Sequence, residues 1–315
     1  MIDDIPYRGI LSIGVRRANW QILLTRGRLQ RHHKARREES TMTMTPLTHT
    51  PQDSGVPASA RDFSVEGRVV IITGAGQGIG RELARQFAAA GALAVVADLN
   101  LGKADTVVKE IQDAGGDALA VRVDVADESS VAAMVDAVIE KWGRVDVLIN
   151  NAAIFATIEK GPFEEIPLAQ WEQVLRVNVT GTYLCVRAVA PHMRAAGFGR
   201  IINVSSDTVT RGTVNYLHYV TSKAAVIGMT NSLARELGHD GITVNCIRPG
   251  MVATEVERTV NPTIEGRERA ASQQCIPRGM VPTDLVGVMF FLATPASAFI
   301  TGQTIACDGG YTHSS

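Results

Sequence analysis

The residues best placed to move a proton lie between positions 206 and 223. Tyr219-Val220-Thr221-Ser222-Lys223 sets a phenol and an amine four residues apart, which puts them on one face of a helix. A free phenol, with a pKa of about 10, is a poor base at neutral pH. A neighbouring ammonium favours the phenolate. Lowering the pKa by about three units takes about 4 kcal/mol of such stabilisation, which a partly desolvated cleft can supply. Ser206 stands thirteen residues before Tyr219, just beyond the apolar run Ile201-Ile202-Asn203-Val204. Its hydroxyl can polarise a carbonyl or hold an alcohol oxygen. Alternation at a strand end lets only one of Ser205 and Ser206 face a cleft, and the spacing selects Ser206. Tyr216 makes no such pair, because Val220 lies four residues on.

A second group could hold phosphate. Thr73-Gly74-Ala75-Gly76-Gln77-Gly78-Ile79-Gly80 lies between a β-branched run and a helical pattern. In that context glycines let the backbone approach a pyrophosphate, and the helix N-terminus offers free N–H groups. Asp98 ends the next apolar run, 18 residues past Gly80. A carboxylate there accepts from both hydroxyls of an adenosine ribose and repels a 2′-phosphate. At an effective dielectric near 20, two unit charges ~4 Å apart cost about 4 kcal/mol. Gln77, Leu99 and Asn100 supply no cation for such a phosphate. The expected cofactor is therefore NAD(H) rather than NADP(H). Asp124, followed by Val125, ends the third run and is placed to reach the adenine amino group; a plain loop acid is the alternative.

These groups need a scaffold that brings strand ends together. Val69 to Ile72, Leu93 to Ala97, Ala118 to Val123, Val145 to Ile149, Arg200 to Val204, Thr243 to Ile247 and Thr304 to Cys307 read as strands. Such short apolar runs suit strands buried on both faces. Helical patterns alternate with them over Arg81 to Ala90, Lys103 to Ala114, Ser129 to Trp142, Trp171 to His192 and Tyr219 to Leu237. Alternation at this spacing implies parallel pairing with right-handed crossovers. The expected fold is α/β: a single doubly wound, Rossmann-type parallel sheet of about seven strands, with helices on both faces.

Composition narrows the function further. The chain has 315 residues, 45% hydrophobic and 20% charged, with formal net charge −1. That balance gives no bulk case for nucleic acid. The four cysteines are scattered and include no CxxC pair, so neither a disulfide framework nor a zinc signature is present. Scattered thiols suit a reducing cytoplasm. No run reaches the ~18 apolar residues of a membrane helix; the best, Val286 to Ile300, is broken by Pro295. Residues 1–60 differ, with 9 Arg+Lys against 5 Asp+Glu, followed by a Thr-, Pro- and Ser-rich stretch. They read as a mobile extension outside the fold, with the functional domain over 61–315. A secretory signal does not fit the interrupted apolar pieces, a mitochondrial presequence does not fit Asp3 and Asp4, and Met42 and Met44 are candidate later starts.

The motifs occur together and in order. Thr-Gly-x-x-x-Gly-x-Gly at 73–80, Asn150-Asn151-Ala152-Ala153, Asn178, Ser206, Tyr219-x-x-x-Lys223 and Pro249-Gly250 resemble the short-chain dehydrogenase/reductase family. The resemblance runs from about Val65 to the C-terminus, through Thr301-Gly302-Gln303 and Asp308-Gly309-Gly310. It implies that Tyr219 is the general acid/base and that Lys223 binds the nicotinamide ribose. Ser206 would orient the reacting oxygen, and Asn178 would hold a water in the proton relay. It implies that Asn151, with Ala152 beside it, supports the sheet and lines the adenosine ribose side, and that the Ile79 backbone contacts pyrophosphate. Val252 and Thr254, after Pro249-Gly250, would grip the carboxamide. Ala153 departs from the family, which usually has glycine there, and adds a methyl beside the ribose.

The implied activity is interconversion of a secondary alcohol and a ketone. Ile154, Phe155, Thr208 and His218 flank the reacting site and are candidate substrate contacts; for His218 a local hydrogen bond is the rival. Met251 to Met280 interrupts the rhythm with a length that suits a substrate lid. Tyr216 to Pro249 and the Phe299-Ile300-Thr301-Gly302-Gln303 ending look similar to members acting on aryl or cyclic alcohols. Relatives pair the helices at 171–192 and 219–237 between subunits, so a homo-oligomer, a tetramer, is expected. One alternative is an NADPH-dependent reductase of 3-oxoacyl thioesters, against which Asp98 argues. Another is a dinucleotide-binding regulatory protein without turnover, against which the full set of Ser206, Tyr219, Lys223 and Asn178 argues.

Overall fold

The computed structural model describes residues 63–256 and 264–313. The extension expected over 1–60 lies outside them. One sheet of seven parallel strands runs in the order β3-β2-β1-β4-β5-β6-β7. Its strands are β1 Val69–Thr73, β2 Leu93–Asp98, β3 Asp117–Arg122, β4 Val147–Asn150, β5 Gly199–Val204, β6 Ile242–Pro249 and β7 Thr304–Cys307. The expected doubly wound fold is the one found.

The β1 sequence VVIIT is buried at every position, and alternation divides it between two cores. Val70 and Ile72 pack with Leu83 and Phe87 of α1 (Gly78–Ala89), Val107 of α2 (Leu101–Asp113) and Met289 and Leu292 of α9 (Val286–Ala293). Val69 and Ile71 pack on the other face with Met134 and Val138 of α3 (Glu128–Trp142), Val189 and Met193 of α5 (Gly181–Ala196) and Leu237 of α7 (Leu217–Leu237). Each such fully buried side chain contributes roughly 1.5–3 kcal/mol of transfer free energy.

Strand order reverses between β1 and β4. Their carboxyl ends part there, because the connections leave to opposite sides. The helix expected over 171–192 spans more and is not uniform. It begins as α4 (Leu168–Leu175), widens into a π-turn over Arg176–Thr180, and continues as α5. Asn178 sits in that turn. Two more helices, α6 (Thr208–Arg211) and α8 (Ile264–Ser272), flank the carboxyl edge and the excursion after β6. Of the segment expected to form a lid, 257–263 lie outside the described residues. Its two ends meet where Ala253 donates to the Met280 carbonyl at 2.8 Å. Among the described residues, no helix is long and apolar enough to cross a membrane.

Candidate active site

A cleft of about 970 Å³ opens at the carboxyl edge, near the upper end of the range for small-molecule sites. One end is built on the glycine turn. Gly74 (φ +64°) and Gly78 (φ +59°) take left-handed backbone, which a side chain disfavours. A Cβ on Gly74 would stand 2.8 Å from the Ala152 Cα, so β1 and β4 can approach this closely only through glycine. Asn151 fastens the same junction, donating from Nδ2 to the Thr73 and Gly74 carbonyls at 3.0 and 3.1 Å. Asp98 lines the cleft and accepts from the N–H groups of Gly76 and Asn100, each at 2.9 Å. Lys103 donates to the Gln77 side chain at 2.6 Å. Asp124 accepts from the Ala126 N–H at 2.9 Å and lines the cleft beside Val125.

At the other end α7 runs past the carboxyl terminus of β5. Tyr219 and Lys223 both line the cleft, with the Lys223 Nζ 5.8 Å from the Tyr219 ring centroid. Lys223 is buried and donates to the Val204 carbonyl at 2.8 Å. Burial pushes its pKa down to about 8. Ser205 turns into the fold and donates to the Lys223 carbonyl at 2.8 Å. Ser206 keeps its Oγ on the cleft, where the Thr208 N–H donates to it at 3.2 Å. Asp207, behind Ser206, pairs with Arg211 at 3.0 Å. Burial raises its pKa despite that partner. Ile154, Phe155 and Thr208 line this end. Pro249, Gly250, Val252 and Thr254 line the wall joining the two ends, as do Gln77, Gly78 and Ile79 on the glycine turn.

Three expected site residues do not face the cleft. Gly80 lies beneath the turn, where a Cβ would meet the Gly74 carbonyl oxygen at 2.3 Å. It serves helix–strand packing, not ligand contact. His218 is fully buried and absent from the cleft wall. One residue before Tyr219, it falls on the inward stripe with Ser222 and Val226. Its assignment as a substrate contact is corrected. The Asn178 side chain lies behind the wall. Its Oδ1 accepts from the Ile154 N–H at 2.8 Å, and its Nδ2 donates to the Ile154 carbonyl and the Ser222 Oγ at 3.2 and 3.0 Å. It ties the loop after β4 to α7.

Sequence reasoning missed Glu255. Its carboxylate accepts from the Gly78 N–H at 2.9 Å, at the start of α1, and meets Arg81 at 3.4 Å. Positions 78 and 255 share no local pattern that would have revealed the contact.

A family model described as Enoyl-(Acyl carrier protein) reductase matches residues 74–312. The chain belongs to the short-chain dehydrogenase/reductase family. It is 40% identical over 245 residues to a cis-4-hydroxycyclohexanecarboxylate dehydrogenase of Sinomonas cyclohexanicum, covering 78% of this chain and 96% of the relative. A 7α-hydroxysteroid dehydrogenase solved with NADH and 7-oxo glycochenodeoxycholic acid superposes with TM-score 0.75 at 36% identity, covering 80% of this chain and 97% of that one. A gluconate 5-dehydrogenase homologue of Beutenbergia cavernae, solved with NADP at low occupancy, gives TM-score 0.73 at 38% identity over 79% and 98%. The chain is thus an oxidoreductase of this family.

The cleft fits a dinucleotide on its own geometry. Its wall includes both Asp98 and Lys223, and the left-handed Gly74 and Gly78 present bare backbone to it. No group of His, Cys, Asp and Glu suited to a metal occurs among the described residues.

Proposed function

We propose that the protein interconverts a secondary alcohol and a ketone with NAD(H). The observation that carries this reading is the convergence of Ser206, Tyr219 and Lys223 on one cleft whose far end holds Asp98. Bound in that cleft, the dinucleotide supplies or accepts the hydride. Asp98 would hold the adenosine ribose hydroxyls, the N–H groups of the glycine turn the pyrophosphate, and Val252 and Thr254 the carboxamide. In the oxidative direction Ser206 Oγ holds the alcohol oxygen and Tyr219 Oη takes its proton; reduction returns that proton to the ketone oxygen. The buried Lys223 ammonium favours the phenolate electrostatically. Asn178 positions Ile154 against the reacting end. General base catalysis of this kind contributes about 10²–10⁴-fold, with orientation supplying more.

A cyclic substrate is favoured by the ring-bearing compounds in the relatives' names and by the aromatic wall of Phe155 and Tyr216, stacked at 6.0 Å. Homo-oligomer formation through α5 and α7 is supported by exposed Tyr183 and by the small exposed residues Ala224 and Gly228. A purely monomeric sedimentation profile would remove that part.

The decisive test is spectrophotometric, with cyclic secondary alcohols and either dinucleotide. Tyr219→Phe should lower kcat by at least about 10²-fold while dinucleotide affinity is kept; turnover within tenfold of the parent would refute the proton-transfer role. Asp98→Asn should move the ratio of kcat/KM for NAD⁺ over NADP⁺ toward NADP⁺ by tenfold or more, because a repulsion of up to about 4 kcal/mol is removed. A parent enzyme that already prefers NADP⁺ would overturn the cofactor assignment.

A further inference from the structure

The charge at the substrate end of the cleft is one-sided. The carboxylates Asp98 and Asp124 belong to the adenosine end. Near Tyr219 the cleft is lined by Asp207, Arg211 and Lys160. Asp207 and Arg211 neutralise each other, and the Arg211 guanidinium also lies 4.6 Å from the Tyr311 ring. Arg176, also on the cleft wall, acts on Asp127 at the start of α3, which leaves Lys160. It is exposed at the mouth and pairs with no carboxylate among the described residues. Its Nζ rests on the face of Tyr216, 4.9 Å from the ring centroid.

That position is built. Gly161 donates to the Asn215 carbonyl at 3.3 Å, which docks the Lys160 loop on the turn before Tyr216. Asn215 holds that turn with φ +63°, the single left-handed non-glycine backbone among the described residues. Tyr216 stands 6.2 Å from Tyr219 and 6.0 Å from Phe155, centroid to centroid. The ammonium therefore lies one aromatic ring away from the reacting phenol, along a wall of rings. A substrate whose carbinol reaches Tyr219 and whose apolar body lies on Phe155 and Tyr216 carries its far substituent to Lys160. A cation at the cleft mouth with no carboxylate partner among the described residues offers an electrostatic match to a negative group placed there.

The geometry points to a cyclic hydroxy acid as the substrate class, with Lys160 receiving the carboxylate on the side of the ring remote from the hydroxyl. This rests on the alcohol–ketone reading above and adds the anionic group and the residue that selects it. Lys160 is a specificity determinant: it touches the charged tail and takes no part in proton transfer.

The test uses the full chain loaded with NAD⁺ and two probes of the same ring, 4-hydroxycyclohexanecarboxylate and its methyl ester. Calorimetric binding is read first and turnover second. The acid should bind at least tenfold more tightly than the ester. Lys160→Met should erase that difference by weakening the acid alone, Lys160→Arg should restore most of it, and NAD⁺ affinity should stay constant in both variants. In turnover, Lys160→Met should raise KM for the acid about tenfold with kcat kept. Equal binding of acid and ester by the parent, or an equal loss of both probes in Lys160→Met, overturns the carboxylate assignment and leaves the alcohol–ketone reading standing. Preferential, Lys160-dependent binding of the acid without turnover of either probe supports the anion site and counts against the reaction. Failure to bind either probe overturns the substrate class.

Discussion

The two edges of the sheet handle charge in opposite ways. At the amino edge, Asp146 is almost fully buried and every demand on it is met locally. Its Oδ2 accepts from the Val69 N–H at 2.9 Å, and its Oδ1 pairs with Arg144 and, at 3.4 Å, with Arg68. Nearby Arg200 is also buried, and donates to the Gly199 and Thr294 carbonyls at 2.8 and 3.2 Å. The Arg68 and Arg200 guanidiniums each lie 4.3 Å from the Phe198 ring. At the carboxyl edge, Lys223 is equally buried; among the described residues it has a single carbonyl as hydrogen-bond acceptor and no carboxylate partner. The depth is the same but the setting differs: Asp146 and Arg200 are met by groups of the fold and are not part of the cleft wall, whereas Lys223 lies on that wall, where a ligand can reach it. Burial perturbs titration at both edges, lowering the pKa of Arg200 to about 10 and that of Lys223 to about 8; what sets Lys223 apart is that its perturbed group lines a cleft, as such groups do at functional sites.

The sharpest way to break this contrast is Asp146→Ala. The substitution orphans the Val69 N–H and strips two arginines of their carboxylate. The arginines left behind are partly exposed, so the main cost is the unmet buried N–H, about 1–3 kcal/mol, and each kcal/mol shifts Tm by about 2–4 °C in a domain of this size. A fall in Tm of several degrees is expected, with kcat and dinucleotide affinity of the folded fraction intact. An unchanged melting curve, or lost turnover in a protein as stable as the parent, would show that the amino edge is not the structural one.

Lys223→Met probes the opposite edge and has a signed pH signature. An unfolded lysine titrates near 10.4, whereas burial brings the folded group down to about 8. The unfolded chain then binds more protons between those values, so stability rises with pH across that window. Below about pH 8 the wild-type fold carries the full cost of the buried ammonium, roughly 3 kcal/mol by linkage. Methionine removes this cost. The difference in Tm, variant minus parent, should therefore be more positive at pH 7 than at pH 10, even though turnover is lost at both. A difference independent of pH would mean that Lys223 is charged at no stability cost.

How much of this was legible in the chain depends on how local the cause is. The run Val69 to Ile72 could be read because burial on both faces leaves no polar position to break it. Tyr219 and Lys223 could be read because helix geometry alone makes them neighbours. His218 could not be placed, since adjacency to Tyr219 says nothing about which side of α7 it faces. The π-turn was invisible for a related reason: Asn178 is drawn inward by Ile154 and Ser222, partners distant in sequence. Gly80 was assigned to the ligand because the motif names the glycine without saying whether backbone or ligand needs the space. Glu255 had no local cause at all; it meets Gly78 only once β6 has been threaded beside β5.

That last residue sharpens the comparison most finely. Glu255 gives the start of α1 an internal anion at the turn whose N–H groups are best placed for pyrophosphate. Although burial raises its pKa, the Gly78 N–H and Arg81 together bring it below the ordinary glutamate value. The side chain is half exposed, so the contact is weak and screened by salt. A carboxylate at a helix N-terminus is worth about 0.3–1 kcal/mol, a factor of about two to five in an equilibrium constant. Glu255→Gln keeps the shape and removes the charge. Dinucleotide binding, followed by nicotinamide fluorescence, should tighten by that factor at low ionic strength and by less as salt is added. Weaker binding in the variant would mean that the Glu255 bridge holds the 252–256 wall in place for the cofactor and does not compete with it, making this small contact at the carboxyl edge structural after all.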